Sequence, residues 1–263
     1  MPKTSAYGLT EHTFSNGQLA KILKVNTDTA YGHALSSIGL NGPTPTLLVI
    51  GGASLMSPES QAKLIQFFNG PLAAFSQRQN ITVLDGGTDA GVIHMMGHAR
   101  NHVQGRFNLV GVAPLNMVIF PGDDLPQPIE DPDDPPAELE PHHTHFFLVP
   151  GKTWGSESRW LAGLSETLAG SSPTMTLLIN GGQISLKDMR VNLELGRKVT
   201  VVAGSGRLAD KVANTISGAM PPEDEQIQQL VSMYYPKQIS VFDLLNSSLD
   251  DLQTQLKHHF NVE

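Results

Sequence analysis

The sequence predicts a three-layer α/β/α domain, in which helices cover both faces of a mainly parallel central sheet. Short apolar runs that end in glycine or a turn residue alternate with amphipathic stretches of helical length. Several runs are apolar at almost every position, such as LLVI at 47–50 and TLLI at 176–179. Strands that are buried on both faces of a sheet have this composition. At 263 residues, 40% of them hydrophobic, the chain can form one core around one sheet.

The elements follow from these runs in chain order. Strands are predicted at 19–25, 46–50, 81–84, 109–113, 145–149, 174–179, 199–203 and 239–242. Helices are predicted at 57–79, 90–103, 156–169, 183–195, 208–217, 224–233 and 247–260. Ser57, followed by Pro58 and Glu59, has the composition of a helix N-terminus. Gly70 and Pro71 are expected to break or kink the first of these helices, because proline lacks the N–H that a helix interior needs.

The whole chain, 1–263, is expected to form one domain with three additions. Residues 1–44 are predicted as an edge extension and residues 221–263 as a C-terminal helical segment. The stretch 121–141 is rich in Pro, Asp and Glu and has no periodic apolar face, so we predict a long surface loop there. A solvated insertion is favoured for this loop over a lid above a binding site.

Charge and composition exclude several classes of function. With 17 basic and 25 acidic residues, the net charge of −8 repels phosphate polymers, so no nucleic acid partner is expected. The absence of cysteine excludes disulfides, thiolate metal sites and a cysteine nucleophile. No apolar run approaches the ~18 residues of a membrane span, and the first residues lack the apolar core of a signal peptide. We therefore expect no membrane span and a cytoplasmic protein.

Glycine-containing segments follow several predicted strands, at 51–54, 85–91, 111–114, 181–182 and 204–207. Ligands of open parallel sheets bind at the carboxyl ends of the strands, where glycine lets the backbone approach a phosphate. A single Gly-Gly pair is most simply a tight turn, but several at one edge would converge on one cleft. The spacing matches neither G-x-G-x-x-G nor the P-loop motif, which disfavours ordinary dehydrogenases and NTPases.

Charged residues accompany these turns. Arg207 follows Gly204-Ser205-Gly206 at a predicted helix N-terminus, where its guanidinium could bind a phosphate or instead pair with Asp210. Asp89 is placed to cap the helix that follows it. Asp85, at the end of a strand, could instead accept hydrogen bonds from ribose hydroxyls. Helix capping by Asp89 and ribose binding by Asp85 both stay open.

The histidine-rich run at 142–145 invites a metal site, since imidazoles are common ligands of transition metals. On a strand, however, His143 and His145 share one face and His142 points away from it. Neither an H-E-x-x-H motif nor a second cluster supplies further ligands. We therefore predict no metal site, and expect hydrogen-bonded or cleft-lining histidines.

Two further patterns say little about function. His94, His98 and His102 recur every four residues, which predicts a solvated polar face on one helix. A serine hydrolase is disfavoured, because the chain has no G-x-S-x-G elbow and the GSG at 204–206 is too short for one.

Several motifs together resemble a known superfamily. ITVLDGGTDAGV at 81–92, LEPHHTHFFLV at 139–149, NGG at 180–182 and VAGSGRLAD at 202–210 resemble the SLOG superfamily. The branch that they resemble most is that of the prokaryotic relatives of the cytosolic N-terminal region of melastatin-type TRP channels. The resemblance covers roughly residues 46–212, with the motifs in the same order.

The resemblance implies a Rossmann-like domain that binds a nucleotide-derived ligand such as ADP-ribose, AMP or another NAD-derived molecule. Arg207 corresponds to the phosphate-binding arginine. Trp154 corresponds to an aromatic that stacks near the adenine, although it could instead be a packing residue. Together with the glycine pattern, this gives the predicted ligand-binding residues Gly51, Gly52, Ala53, Gly86, Gly87, Thr88, Asp89, Trp154, Arg159, Gly181, Gly182, Gly204, Ser205, Gly206 and Arg207.

The sequence departs from the family pattern at two places. Leu161 stands where the ADP-ribose-binding channels have an arginine, seven residues after the aromatic, and Arg159 is the nearest substitute. The motif P-G-G-x-G-T-x-x-E of the superfamily's phosphoribohydrolases is absent, which leaves Glu157, Glu140 and Asp85 as weak catalytic candidates.

Three functions therefore stay open. The leading one is a binding or sensing domain for a nucleotide, the second is a hydrolase of an N-glycosidic or phosphate bond in that nucleotide, and the third is an assembly module with a vestigial cleft. A homo-oligomer is compatible with each.

Overall fold

A computed structural model describes residues 7–120, 135–219 and 224–262. The strands are β1 (Tyr7–Thr13), β2 (Leu19–Lys24), β3 (Thr46–Gly51), β4 (Thr82–Asp85), β5 (Leu109–Pro114), β6 (Val118–Ile119), β7 (Ala137–Glu138), β8 (His145–Val149), β9 (Thr174–Ile179), β10 (Val199–Ala203) and β11 (Ile239–Asp243). The α-helices are α1 (Tyr31–Ile38), α2 (Pro58–Phe67), α3 (Ala73–Arg78), α4 (Gly91–His102), α5 (Ser158–Ala169), α6 (Gln183–Glu194), α7 (Arg207–Ser217), α8 (Glu225–Tyr234) and α9 (Leu249–His259).

The central sheet confirms the predicted fold class. Within the described residues it has nine strands in the order β1-β2-β8-β5-β4-β3-β9-β10-β11. Its strand pairs are parallel except for the β1–β2 pair. β6 and β7 form a separate short parallel pair. The apolar runs of the sequence are thus the strands of one mainly parallel sheet.

Alternate residues of β3 face opposite layers of helices. Leu48 and Ile50 belong to a core cluster that includes residues of α1, α5, α6, α7 and α8. Leu47 and Val49 belong to a second cluster with residues of α2, α3, α4 and α9. Because both faces of the strand are covered by helices, its four apolar residues are all buried, and the architecture is the three-layer α/β/α arrangement.

The predicted helix at 57–79 is interrupted where the sequence indicates. Ser57 caps α2, because its side chain accepts a hydrogen bond from the N–H of Ser60 at 3.1 Å. A π-helical turn, Phe68–Leu72, contains Pro71 and separates α2 from α3. Proline cannot donate to the helix ladder and its ring clashes with the preceding turn, which confirms the predicted kink.

The N-terminal region has more structure than the sequence pattern predicts. β1 pairs with β2 as an antiparallel hairpin, and β2 then pairs in parallel with β8 at this end of the sheet. α1 contains Gly32, Ser36 and Ser37, which are poor helix formers, so its pattern is weak. Tertiary packing holds it in place, because Leu35 and Ile38 are buried in the first core cluster.

The remaining segments are placed as follows. In the C-terminal part, β11 pairs in parallel with β10 between α8 and α9. Most of the predicted loop at 121–141 lies outside the described residues, and its last part contains β7. No helix in the described ranges has the length and apolar character that crossing a bilayer requires.

Candidate functional site

A cleft of about 630 Å³ opens at the carboxyl ends of the central strands. β3 and β9 are neighbours, but the chain leads from β3 to β4 and β5 on one side and from β9 to β10 and β11 on the other. The connections therefore diverge at this pair of strands, which leaves a crevice between the turns that follow them. In open α/β sheets, such a switch point is the usual place for a ligand.

Turns that follow separate strands meet in this cleft. The predicted site residues that line it are Gly51, Gly52, Gly86, Thr88, Trp154, Glu157, Gly181, Gly182 and Arg207. Other lining residues were not predicted, namely Val49, Ile50, Ser54, Ile93, Leu161, Gln183, Ile184, Ser185 and Asp188. The glycine segments after β3, β4 and β9 and the arginine after β10 thus share one cavity.

Asn180 fastens several of these turns to one another. Its side-chain amide donates to the carbonyl oxygens of Ser54 at 3.1 Å and Ser205 at 2.8 Å. Its Oδ1 accepts from the N–H of Gly181 at 2.7 Å, and its own N–H donates to the Ser205 hydroxyl at 2.7 Å. Because Asn180 is fully buried, water does not compete for these bonds, and the turns after β3, β9 and β10 form one unit.

The first turn depends on glycine at position 51. Gly51 has a φ of 139°, and a Cβ there would overlap the carbonyl oxygen of Ile179 on β9. The N–H of Gly52 donates to that same oxygen at 3.1 Å. The missing side chain therefore lets the backbone of this turn lie directly against β9 at the floor of the cleft.

Helix α6 begins at the cleft. Its N-cap is Gly182, which has no side chain to cap the helix, and the next residues, Gln183, Ile184 and Ser185, all line the cavity. The first N–H groups of a helix have no partner within the helix and form the positive end of its dipole. This part of the cleft therefore favours an anionic group.

Arg207 adds a cation beside that helix end. A Cβ on Gly182 would lie 3.0 Å from Nη2 of Arg207, so the guanidinium lies over the start of α6. Among the described residues no ion pair of Arg207 is found, and Asp210 instead accepts from the N–H of Gly204 at 2.6 Å. Arg207 also has a φ of 48°, a conformation that is sparsely populated outside glycine and that clusters at functional sites.

The Gly204-Ser205-Gly206 turn lies behind this arginine and does not line the cleft. Ser205 is fully buried, and its hydroxyl donates to the carbonyl oxygen of Val202 at 2.5 Å. The carbonyl oxygen of Gly204 accepts from the Ser60 hydroxyl at 2.6 Å. In this structure the turn positions Asn180 and Arg207, and its own groups are engaged within the protein.

Other predicted site residues also lie off the cleft wall. Ala53 packs against the second core cluster, and Gly87 lies against the backbone of Gly111. Asp89 does not cap α4, so that prediction is wrong; the N-cap is Ala90 and the Asp89 side chain binds His94. Asp89 precedes the helix by one residue too many for its carboxylate to serve as the N-cap.

Arg159 is exposed and does not replace the missing arginine at the cleft. Leu161, two residues later on α5, lines the cavity instead. Residues two positions apart on a helix are separated by about 200° around its axis, so Arg159 and Leu161 leave α5 on different faces. The cleft wall at this point is therefore apolar.

Asp85 and Glu140 are both fully buried and do not line the cleft, which argues against a ribose or catalytic role for either. Oδ1 of Asp85 accepts from the N–H of Gly87 at 2.8 Å and lies 2.8 Å from Nε2 of His143. Oε2 of Glu140 lies 2.7 Å from Nδ1 of the same histidine. Desolvation by burial lowers the pKa of His143, but the charges and hydrogen bonds of the two carboxylates outweigh it and raise this pKa to about 9.

A pair of buried acids also lines the cleft. Glu157 and Asp188 are each 7% exposed. Burial is the main cause that raises the pKa of Glu157 to about 7, and the charge of Asp188 adds to it. Burial likewise raises the pKa of Asp188 to about 6. Within the described residues, Oε2 of Glu157 and Oδ1 of Asp188 are buried and have no hydrogen-bond partner.

Asp188 was not predicted as a site residue, although the sequence contains a signal for it. On α6 it falls on the buried face with Ser185 and Asn192, three residues before it and four after it. An acid in the buried phase of an amphipathic helix is unusual unless it is paired or faces a cavity. That phase, combined with the glycine turns, could have identified it.

Trp154 is close to Glu157 in the sequence and belongs to the same cleft. It is partly buried, lines the cavity, and donates from its indole N–H to the carbonyl oxygen of Pro135 at 3.2 Å. The contact fixes the polar edge of the ring, and the apolar surface that the ring offers is of the kind on which a base can stack.

The histidine-rich run before β8 lies beside α4, outside the cleft. His143 is buried and hydrogen-bonded, as the sequence predicts, and a histidine of another element lies near this run. α4 brings the ring of His98 to a centroid distance of 4.9 Å from the ring of His142. Strand periodicity alone cannot reveal this neighbour, because α4 approaches through tertiary packing.

Comparison with known proteins gives one family and several relatives. A family model described as SLOG in TRPM, prokaryote, matches residues 44–253. Transient receptor potential cation channel subfamily M member 4 of Rattus norvegicus is 26% identical over 272 residues, which are 89% of this chain and 22% of that protein. Subfamily M member 2 of Mus musculus is 23% identical over 275 residues, 91% of this chain and 18% of that protein. The chain thus spans about a fifth of the length of these relatives.

Proposed function

Because the chain belongs to the family described as SLOG in TRPM, prokaryote, we propose that its cleft binds a nucleotide-derived ligand, with ADP-ribose or a related NAD metabolite as the preferred class. A small-molecule nucleotide such as AMP shares the phosphate and base that this cleft suits. A cytoplasmic location and a homo-oligomer stay predictions.

The guanidinium of Arg207, which has no ion pair within the part of the chain that the structure describes, carries this proposal. It lies over Gly182, at the uncapped start of α6, and faces the same cavity as the glycine turns after β3 and β4. Although the whole chain has a charge of −8, this corner combines a cation, a helix N-terminus and glycine backbone. These groups together suit a pyrophosphate.

Other lining residues supply contacts for the rest of a nucleotide. Trp154 and Leu161 offer apolar surface to a base. The carboxyl groups of Glu157 and Asp188 line the cleft and can accept hydrogen bonds from ribose hydroxyls. The cavity of about 630 Å³ lies within the usual range of ligand pockets, roughly 300–1,000 Å³.

Thermal shift with AMP, ADP-ribose, NAD and cyclic ADP-ribose, followed by chromatography of each incubation, tests the proposal. We expect concentration-dependent stabilisation without turnover. Arg207→Ala should weaken binding of a pyrophosphate ligand by about 1.5–3 kcal/mol, because one charged hydrogen-bonding group is lost. Arg159→Ala is the matched control, since it removes an exposed arginine that does not line the cleft.

Each contrary result has a clear consequence. Equal loss of affinity in the Arg159 and Arg207 variants would exclude a specific phosphate contact at Arg207. No stabilisation by any of the four compounds would contradict the proposal and favour an assembly module with a vestigial cleft.

The acid pair favours a second candidate, hydrolysis of an N-glycosidic bond in the same ligand. With the pKa of Glu157 at about 7, one carboxyl can be protonated while its neighbour is ionised, which is the arrangement that general acid–base catalysis requires. Product formation that is lost in Glu157→Gln but retained in Glu138→Gln, a substitution of an exposed acid, would support this candidate. Unchanged ligand after long incubation would exclude it.

A further inference from the structure

A cluster of imidazoles and a carboxylate lies outside the cleft, between α4 and the run before β8. His98, Glu140 and His142 each bring one potential ligand atom to within 4.8 Å of those of the other two. His98 is exposed, His142 is partly buried and Glu140 is fully buried. The three side chains therefore form a pocket with a buried acid at its base and imidazoles at its solvent side.

Glu140 is held rigidly in this position. Oε2 accepts from the N–H of His142 at 2.9 Å and lies 2.7 Å from Nδ1 of His143. Nε2 of His143 lies in turn 2.8 Å from Oδ1 of Asp85. The N–H of Glu140 donates to the carbonyl oxygen of Gly87 at 3.0 Å. A carboxylate that is oriented by a second layer of hydrogen bonds is the usual design at metal ligands.

Helix α4 is shaped to admit this carboxylate. A Cβ on Gly97 would overlap all three atoms of the Glu140 carboxyl group, so a glycine at this position lets the acid lie directly against the helix. The next residue, His98, then lies beside it at the surface. Its ring is 4.9 Å from that of His142 and 4.1 Å from that of His94.

The charged groups around the cluster have partners of their own. Asp89 pairs with His94, at 2.5 Å between Oδ1 and Nδ1. The guanidinium of Arg100 is directed to the carbonyl oxygens of Phe107 and His142. Nδ1 of His142 lies 2.6 Å from Oε1 of Glu140, a contact that a bound cation would replace.

We propose that His98, His142 and Glu140 bind a divalent transition-metal ion, most suitably Zn²⁺, with water in the fourth position. Two imidazole nitrogens and one carboxylate oxygen match the preferences of zinc and its neighbours. Mg²⁺ and Ca²⁺ prefer sets made of oxygen ligands, which this cluster does not offer. The site is separate from the cleft and does not depend on the proposed nucleotide ligand.

Titration of the tag-free chain with Co²⁺ and Zn²⁺ tests the site. We expect one equivalent of Co²⁺ to give visible absorption bands, Zn²⁺ to displace it, and Mg²⁺ and Ca²⁺ to leave the bands unchanged. His98→Ala should weaken Zn²⁺ binding by more than about 10-fold, because a direct ligand costs at least as much as a supporting group.

His102→Ala is the matched control, since it removes an exposed histidine one turn further along α4 that does not belong to the cluster. A second variant, Glu140→Gln, should also lose Co²⁺ absorption while retaining the far-UV circular dichroism of the folded chain. Absence of Co²⁺ bands in the wild-type chain would overturn the proposal. Equal loss in the His98 and His102 variants, or retained binding in Glu140→Gln, would also overturn it.

Discussion

At the scale of single residues, Asn180 determines how the turns of the cleft are arranged. All of its polar groups bond within the protein, to the turns after β3, β9 and β10. The exposed guanidinium of Arg207 has no such bonds among the described residues. The cleft thus separates the two roles, since a buried amide builds the frame and an exposed cation faces the cavity.

Glu157 should lower stability as pH rises. Its pKa is raised from 4.5 to about 7 in the folded protein, so between these values the folded state holds more protons than the unfolded state. Stability therefore falls across this range, and the loss is complete above about pH 7. Glutamine does not ionise, so Glu157→Gln removes this loss. We expect the free energy of unfolding of the variant to exceed that of the wild type by up to about 3 kcal/mol at pH 8 and by little at pH 4.

Thermal unfolding of both proteins from pH 4 to pH 9 measures this difference. Glu11→Gln, a substitution of an exposed acid on β1, is the control and should show no comparable gain at high pH. A constant difference between Glu157→Gln and wild type over the whole range would contradict the environment that we describe for this carboxyl group.

At the scale of elements, the cleft results from how strands end and helices begin. β3 ends in a glycine that lies against β9, and β9 leads through Asn180 into the uncapped start of α6. β10 leads into α7, whose first residue is Arg207. Crossover connections that leave in opposite directions open the space between these ends.

Gly51→Ala should therefore destabilise the protein through the β3–β9 contact. The new Cβ would overlap the carbonyl oxygen of Ile179, and alanine is strained at a φ of 139°. We expect a loss of about 2–4 kcal/mol in the free energy of unfolding, measured by chemical denaturation.

Gly70→Ala is the matched control, because a Cβ at Gly70 would have no heavy atom within 4 Å and its φ is not positive. It should change stability by less than about 1 kcal/mol. Similar stability of the two variants would contradict the close approach at Gly51.

At the scale of the whole molecule, the periodicity of the sequence predicts the layers of the fold but not the tertiary contacts between them. Continuous apolar runs such as 47–50 predict strands that are covered on both faces, and Leu47 and Leu48 do lie in opposite core clusters. α1 was missed because its sequence is a poor helix former that packing stabilises. The local sequence pattern therefore suffices to predict an element such as β3, which is buried on both faces, but not one such as α1, which depends on packing.

The candidate site was predictable only in part, for a related reason. Glycine turns are visible in the sequence because they must follow strands, as with Gly51 and Gly181. Whether a side chain beside a turn faces the cavity depends on tertiary packing, which buries Asp85 and turns Arg159 away. Asp188 lies on the helix that follows the glycine turn at 181–182, and it enters the cleft only through the phase of α6.

Hydrogen–deuterium exchange with and without ADP-ribose tests the central claim most directly, because it follows the backbone amides of each turn separately. We predict slower exchange in peptides that cover 51–54, 86–88 and 181–185 together, since these segments line one cavity. Protection that is confined to a single segment, or that appears instead at 236–241 beside α9, would contradict a shared nucleotide cleft.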